Sequence, residues 1–116
     1  MFRFESLEIW NLAIEYGNKL YDIANNFPDR EIYGLSSQLK RAAVSISSNI
    51  AEGSGANTDR DFANFLDISV KSTLETVSIL FFAKLRKYIN EAKRKELYEQ
   101  AEKLIRKIRA FKKAIK

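Results

Sequence analysis

The 116-residue sequence contains no cysteine and no histidine, one proline and four glycines. Without cysteine there is no disulfide framework, thiol nucleophile or iron–sulfur site. Without histidine as well, no Cys/His zinc site, Ser-His-Asp triad or imidazole base can be assembled. No apolar run approaches the ~18 residues that a bilayer-spanning helix requires, so no membrane partner is expected. The opening residues Met1-Phe2-Arg3-Phe4-Glu5 lack the apolar stretch and small-residue cleavage site of a secretory leader. No P-loop, dinucleotide-binding fingerprint or nucleophile elbow occurs. What is present is a globular composition, 46% hydrophobic and 30% charged. The expectation is a single cytoplasmic, non-catalytic, all-helical domain over residues 1–116, with no cofactor and no metal.

Breakers occur at three places: Phe27-Pro28, the glycine-rich run Gly53-Ser54-Gly55, and Tyr88-Ile89-Asn90. They divide the chain into four segments, each long enough for a helix, with no alternating β-branched run inside any of them. The spacing predicts helices over residues 7–26, 32–52, 58–87 and 91–114. Short connections favour an antiparallel up-down-up-down four-helix bundle. Ser6, Thr58 and Asn90 are candidate N-caps. Asp61, three residues after Thr58, resembles a shortened capping box. Gly53 suits the residue that follows a helix, where a left-handed conformation is common.

Each segment has an apolar stripe. Leu7, Trp10, Ile14, Tyr21 and Ala24 define one on the first helix, with Ile9, Tyr16 and Ile23 off that face at seven-residue spacing. Leu35, Leu39, Ala42, Ile46 and Ile50 define the second. The fourth, Leu97, Ala101, Leu104, Ile108, Phe111 and Ile115, steps 4, 3, 4, 3, 4, the seam of coiled coils and antiparallel bundles. The third helix has two. Phe62, Phe65, Leu66, Thr73, Val77 and Leu80 form one face, and Ile68, Ile79 and Phe82 lie opposite. A helix with one core needs one stripe. Either copies associate over Ile68, Ile79 and Phe82, giving a homo-oligomer, or the first and fourth helices wrap both sides within one chain.

Polar residues also cluster. Gln38, Arg41, Ser45, Asn49 and Glu52 share a flank of the second helix. Such a row is either a site or a polar seam that sets register, and the seam is the favoured reading. Arg41 and Glu52 are too far apart to pair, and Glu75 is the candidate partner for Arg41. Asp59 and Asp61 fit a helix start, where exposed amides favour negative charge, better than a metal site. Glu8, Glu15 and Asp22 recur every seven residues as a solvated strip.

Charge is uneven. Residues 1–90 hold 10 basic and 11 acidic side chains, whereas residues 91–116 hold 10 basic and 4 acidic. After Lys103 come Arg106, Lys107, Arg109, Lys112, Lys113 and Lys116, with no acid among them. Lys95, Arg106, Arg109 and Lys113 project away from the apolar seam as one strip. A helix dipole favours cations only in the last turn, and this run covers about four turns, so a phosphate-binding surface for RNA or DNA is the reading it supports. The rival reading is an interaction module whose basic face docks an acidic partner protein.

The second helix carries a long pattern, Gln38-x-x-Arg41-Ala42-x-x-Ser45-Ile46-x-x-Asn49-Ile50-Ala51-Glu52-Gly53. Together with Leu7 to Trp10, Phe27-Pro28 and Phe62 to Leu66, it resembles the four-helix-bundle family of 23S rRNA intervening-sequence proteins. The resemblance covers nearly the whole chain and implies a compact up-down bundle with no catalytic activity. Similarity to the accessory variability proteins of diversity-generating retroelements implies a homopentameric ring that binds nucleic acid and a reverse transcriptase. The motif positions Gln38, Arg41, Ser45, Asn49, Glu52 and Gly53 carry over as architectural. Ser47, Ala56 and Lys71 depart from the family pattern, which often has proline, a basic residue and glycine there.

Overall fold

The computed structural model describes residues 1–115. Among them are four long helices: α1 (Glu8–Asn25), α2 (Leu35–Ser54), α3 (Asp59–Leu85) and α4 (Glu91–Ala114), with short 3-10 turns at Arg3–Ser6 and Asp29–Glu31 and no strand. The bundle measures 43 × 24 × 22 Å, close to the length of α3 itself. No helix is long and apolar enough to cross a membrane.

Two of the three expected caps form. The Thr58 hydroxyl accepts the Asp61 amide at 3.1 Å, and the Asn90 side chain accepts the Lys93 amide at 2.8 Å. Ser6 does not cap α1. It lies in the first 3-10 turn, and its hydroxyl donates to the Arg3 carbonyl at 2.9 Å, leaving Leu7 as the N-cap. Helix α2 begins at Leu35, because residues after Pro28 first make a 3-10 turn. Glu31 in that turn accepts the Tyr88 hydroxyl at 2.8 Å and the Leu35 amide at 3.1 Å. The Tyr88 bond chiefly, then the Leu35 bond, hold its carboxyl below the usual carboxylate range. Helix α3 ends in a Schellman arrangement. The Lys87 amide bonds the Lys84 carbonyl, and the Tyr88 amide bonds the Ala83 carbonyl, both at 2.9 Å. Lys87 takes the left-handed conformation, φ 65°, without being glycine.

Gly53 departs from its expected role. Helix α2 continues through it to Ser54, and no glycine has a positive φ. Its bare backbone serves packing instead: a Cβ there would meet the Phe65 Cβ and the Phe62 ring at 2.7 Å. Small residues continue along the α2–α3 contact. The Ser69 hydroxyl donates to the Ile46 carbonyl at 2.9 Å, and the Ser45 and Ser72 hydroxyls share a bond at 2.8 Å. Residue numbers fall on α2 as they rise on α3, so the pair is antiparallel. The α1–α2 pair is antiparallel too, with Ser36 bonded to the Ala24 carbonyl at 3.1 Å and Ala43 facing Gly17. Phe62 on Phe111 and Phe81 on Tyr98 set α4 antiparallel to α3.

One core cluster joins all four helices. The α4 seam is realised, with Leu97, Ala101, Leu104 and Ile108 buried and Phe111 and Ile115 half-buried. On α1 the expected stripe is out of phase. Ile9, Ala13, Tyr16, Leu20 and Ala24 form the core face, while Ile14 and Tyr21 are exposed beside α2. The third helix explains its own double stripe. Ser69, Ser72, Thr76, Ile79 and Ala83, stepping 3, 4, 3, 4, make a second buried seam, in which Ser69 and Ser72 bond α2 and Thr76 meets Tyr16 of α1. Ile79 is therefore only 6% exposed. Its place in the expected association surface is a correction: the core of the same chain buries it. Ile68 and Phe82, at 43% and 56% exposure, do remain outside.

At the centre, the Thr76 hydroxyl donates to the Thr73 carbonyl at 2.6 Å. Its proton is thereby committed, so the Tyr16 hydroxyl donates to Thr76 Oγ1 at 2.8 Å. Burial pushes the Tyr16 pKa up to about 12, against the lowering effect of that bond.

Two outcomes follow from this packing. Gly53→Ala should destabilise the fold by about 1–3 kcal/mol, because the Phe65 Cβ is fixed to the α3 backbone and cannot swing away. A lowered midpoint in urea denaturation followed by circular dichroism checks it. The stabilising difference at Tyr16 is present in full below pH 10, the ordinary value, and is lost as pH rises toward about 12. It amounts to about 2–3 kcal/mol. Over that interval Tyr16→Phe should lose less stability than the parent chain in pH-dependent denaturation.

Candidate nucleic-acid interface

Helix α4 packs its apolar seam inward, which fixes where its cations go. Lys103, Arg106, Arg109 and Lys113 are exposed, and none makes an ion pair among the described residues. They span roughly 15 Å of helix at the rise of an α-helix. Lys107 and Lys112 flank the seam and turn back onto the bundle. Lys107 pairs with Glu8 on α1 at 3.3 Å, and Lys112 pairs with Asp67 on α3 at 2.8 Å. Lys95 is exposed near the other end of α4, but Glu99 and Glu102 share its side of the helix and stand between it and Arg106. The continuous cationic face is thus shorter than the expected strip. Lys116 lies outside the described residues.

The acidic row on α1 is not merely solvated. Glu8 takes Lys107 across the α1–α4 groove, and Glu15 lines that groove with Lys19, Glu96, Glu99 and Lys103. Lys19 donates to the Gln100 side chain at 3.2 Å. A cation absent from the expected set also lies near. The Arg3 guanidinium sits 5.1 Å over the Phe62 ring, which contacts Phe111 of α4 at 5.4 Å. The signal for it was topological: an up-down bundle returns the end of α4 to the start of α1.

At the far end of α4, Arg94 lies over the rings of Phe81 at 4.3 Å and Tyr98 at 5.4 Å. It donates to both Glu91 oxygens, at 2.6 and 2.9 Å. Those hydrogen bonds hold the Glu91 carboxyl down to about 2. Its remaining nitrogen, Nη1, is buried without a partner. This end is a closed charge cluster rather than an open cationic face.

The polar row on α2 divides in two. Ser45 and Asn49 are half-buried in the seam with α3: Asn49 Nδ2 donates to the Ser45 carbonyl at 2.8 Å and to its hydroxyl at 3.1 Å. Gln38, Arg41 and Glu52 are exposed. The pairing expected between Arg41 and Glu75 is absent among the described residues, since both side chains point to solvent. No group of three or more Asp or Glu residues is placed to hold a metal ion among the described residues.

The sequence model of the 23S rRNA-intervening sequence protein family matches residues 5–110. The chain belongs to that family. The match takes in all of α1, α2 and α3 and most of α4, including Lys103, Arg106 and Arg109. Among solved structures, a protein of unknown function from the S23 ribosomal protein family of Bacteroides thetaiotaomicron superposes with a TM-score of 0.80. The alignment covers 90% of this chain and 98% of that one at 22% identity, a likeness of fold. No curated protein matches the sequence. In this member of the family, two motif residues meet α3, Ser45 through the Ser72 hydroxyl and Gly53 against Phe62 and Phe65, while Asn49 bonds Ser45 within α2.

The two inward pairs are surface ion pairs and should contribute less than about 1 kcal/mol each. Glu8→Gln and Asp67→Asn should therefore leave the denaturation midpoint nearly unchanged. Each frees one cation, so both variants should elute from a heparin column at higher salt than the parent. Elution at the parent's salt concentration would mean that Lys107 and Lys112 stay directed at the bundle.

Proposed function

We propose that this chain is a non-catalytic, cytoplasmic protein that binds the RNA or DNA backbone through the outer face of α4. The observation that carries the reading is the set Lys103, Arg106, Arg109 and Lys113. It consists of four exposed cations on one short helical stretch, without carboxylate partners among the described residues. Such a face attracts phosphates, and binding is driven by release of the counterions that the phosphates had condensed. Contacts of this kind set position and carry no sequence information.

The same reading has copies of the chain associating over the outer face of α3 as a ring, a pentamer if the resemblance to the accessory variability proteins of diversity-generating retroelements extends to assembly. Ile68 and Phe82 flank Glu75 there and stay exposed in the single chain. Association would repeat the α4 face around the assembly and raise its field. Light scattering of the purified protein tests this part by itself: a particle several times the 13.4 kDa chain mass supports it, and a monomer rejects it.

Binding should weaken steeply with salt, with a log–log slope of roughly −0.9 per duplex phosphate contacted. Replacing Arg106, Arg109 and Lys113 together by glutamine should flatten the slope by roughly 2–3 units and weaken all sequences alike. Fluorescence anisotropy with labelled duplexes at several salt concentrations measures both effects. A flat salt response removes the proposal. Loss on one sequence only would indicate base readout. Capture of an acidic protein, such as a reverse transcriptase, that survives nuclease but not salt would move the basic face to a protein partner.

A further inference from the structure

We infer that the outer face of α3 on one copy seats in a neutral cleft between α1 and α2 on the next, so that copies join head to tail. The inference rests on the association part of the reading above and names the surface that receives α3. Ile14, Gly17 and Tyr21 of α1 and Ala43, Val44 and Ser47 of α2 line the cleft, which holds about 210 Å³. Gly17 opens its floor: a Cβ there would come into ordinary contact with the Ala43 carbonyl oxygen at 3.5 Å. Ile14, Tyr21 and Val44 stay 42%, 39% and 48% exposed around it. Along α1 this side continues as Asn11, Ile14, Asn18, Tyr21 and Asn25, stepping 3, 4, 3, 4, all exposed and none charged. In a chain that is 30% charged, so long a neutral strip departs from an ordinary solvated surface. Depletion of charge marks the centre of a protein interface. Charge enters at the rim, where Lys40 Nζ lies 5.2 Å over the Tyr21 ring and makes no ion pair among the described residues.

A matching surface lies on the same chain. Ile68, Glu75 and Phe82 recur every seven residues along one line of α3, and all three are exposed. Glu75 makes no ion pair among the described residues. Seven residues of helix span about 10.5 Å. Ile14 and Tyr21 of the cleft are also seven residues apart. Helices α1 and α3 run the same way, since both are antiparallel to α2. A copy related by rotation about an axis along the bundle therefore lays its α3 parallel to α1 of its neighbour. Glu75 set against Lys40, beside Tyr21, then puts Ile68 over Ile14 and Val44. The other simple arrangement, α3 on α3 across a two-fold axis centred on this line, sets Glu75 against its own copy, and opposed like charges disfavour it. The ridge and the cleft share no residue. Each joined copy thus keeps one of the two free for a further copy, and such contacts form a ring where the rotation closes.

The test uses two blocked variants, Val44→Glu in the cleft and Ile68→Glu on the ridge, with mass read by sedimentation. Both positions are on the surface, so thermal midpoints followed by circular dichroism should stay near the parent's. Each variant alone should remain a 13.4 kDa monomer at a concentration where the parent is assembled. That corresponds to association weakened at least roughly tenfold. Mixed in equal amounts, the two should form a complex of twice the chain mass, because one ridge and one cleft remain intact. Glu75→Lys and Lys40→Glu should each weaken assembly, and both reversals in one chain should restore it. A Val44→Glu variant that still assembles, or a mixture that stays monomeric, overturns the head-to-tail contact. So do two charge reversals whose losses simply add. A monomeric parent rejects association itself and this inference with it, and leaves backbone binding by α4 standing.

Discussion

The close approach of α2 to α3 is the constraint on which the rest of the bundle depends. Gly53 lets the Phe62 and Phe65 side chains lie directly on the α2 backbone. Serine and alanine continue the contact, and the hydroxyls of Ser45, Ser69 and Ser72 bond across it. An interface of small residues gives up apolar area but gains closeness. Its hydrogen bonds then penalise any slip in register, because a buried hydroxyl without a partner costs about 1–3 kcal/mol. With that pair fixed, α1 packs on α2 and α4 on α3. The tyrosine of α1 finds its threonine on α3 across the centre.

This contact also accounts for the polar pattern of α2. A row of amide, hydroxyl and charged residues on one helix flank resembles the makings of a reactive site. Here the inward members lock two helices together and the outward ones, Gln38, Arg41 and Glu52, face solvent. The same geometry determines what α4 presents. Its leucines and isoleucines face the core, two lysines at the flanks meet carboxylates, and the cations between them project outward.

Much of this was legible in the sequence, for identifiable reasons. Four helices, the Thr58 and Asn90 caps and the α4 seam rest on local signals: a capping side chain three residues before its amide, and a strict 3–4 spacing. The phase of α1 was not legible. Ile9, Tyr16 and Ile23 compete with Trp10, Ile14 and Tyr21 for the inner face, and only the position of α2 decides between them. Ile79 was misplaced because helical periodicity identifies an apolar residue without saying which neighbour covers it. Gly53 was misread because a glycine near a helix end has two uses, and the close one depends on a helix elsewhere in the chain. At the basic end, the expected cations other than Lys95 and Lys116 lie along one stretch of α4. Their division into outward and inward sets required Glu8 and Asp67, residues far away in sequence. Arg3 joined that end of the bundle only through the antiparallel topology.

The left-handed Lys87 has its own bearing on how the molecule is built. Most helices that end this way use glycine, which adopts the conformation without steric penalty. A lysine there is held by its surroundings: the Tyr88 amide bond to Ala83, the Tyr88 hydroxyl on Glu31, and the Tyr88 ring against Phe27. The turn that reverses the chain into α4 therefore relies on the α1–α2 connection to keep its shape. The direction in which α4 sets out is a long-range property, and changes at Phe27 or Glu31 would reach the basic helix without touching it.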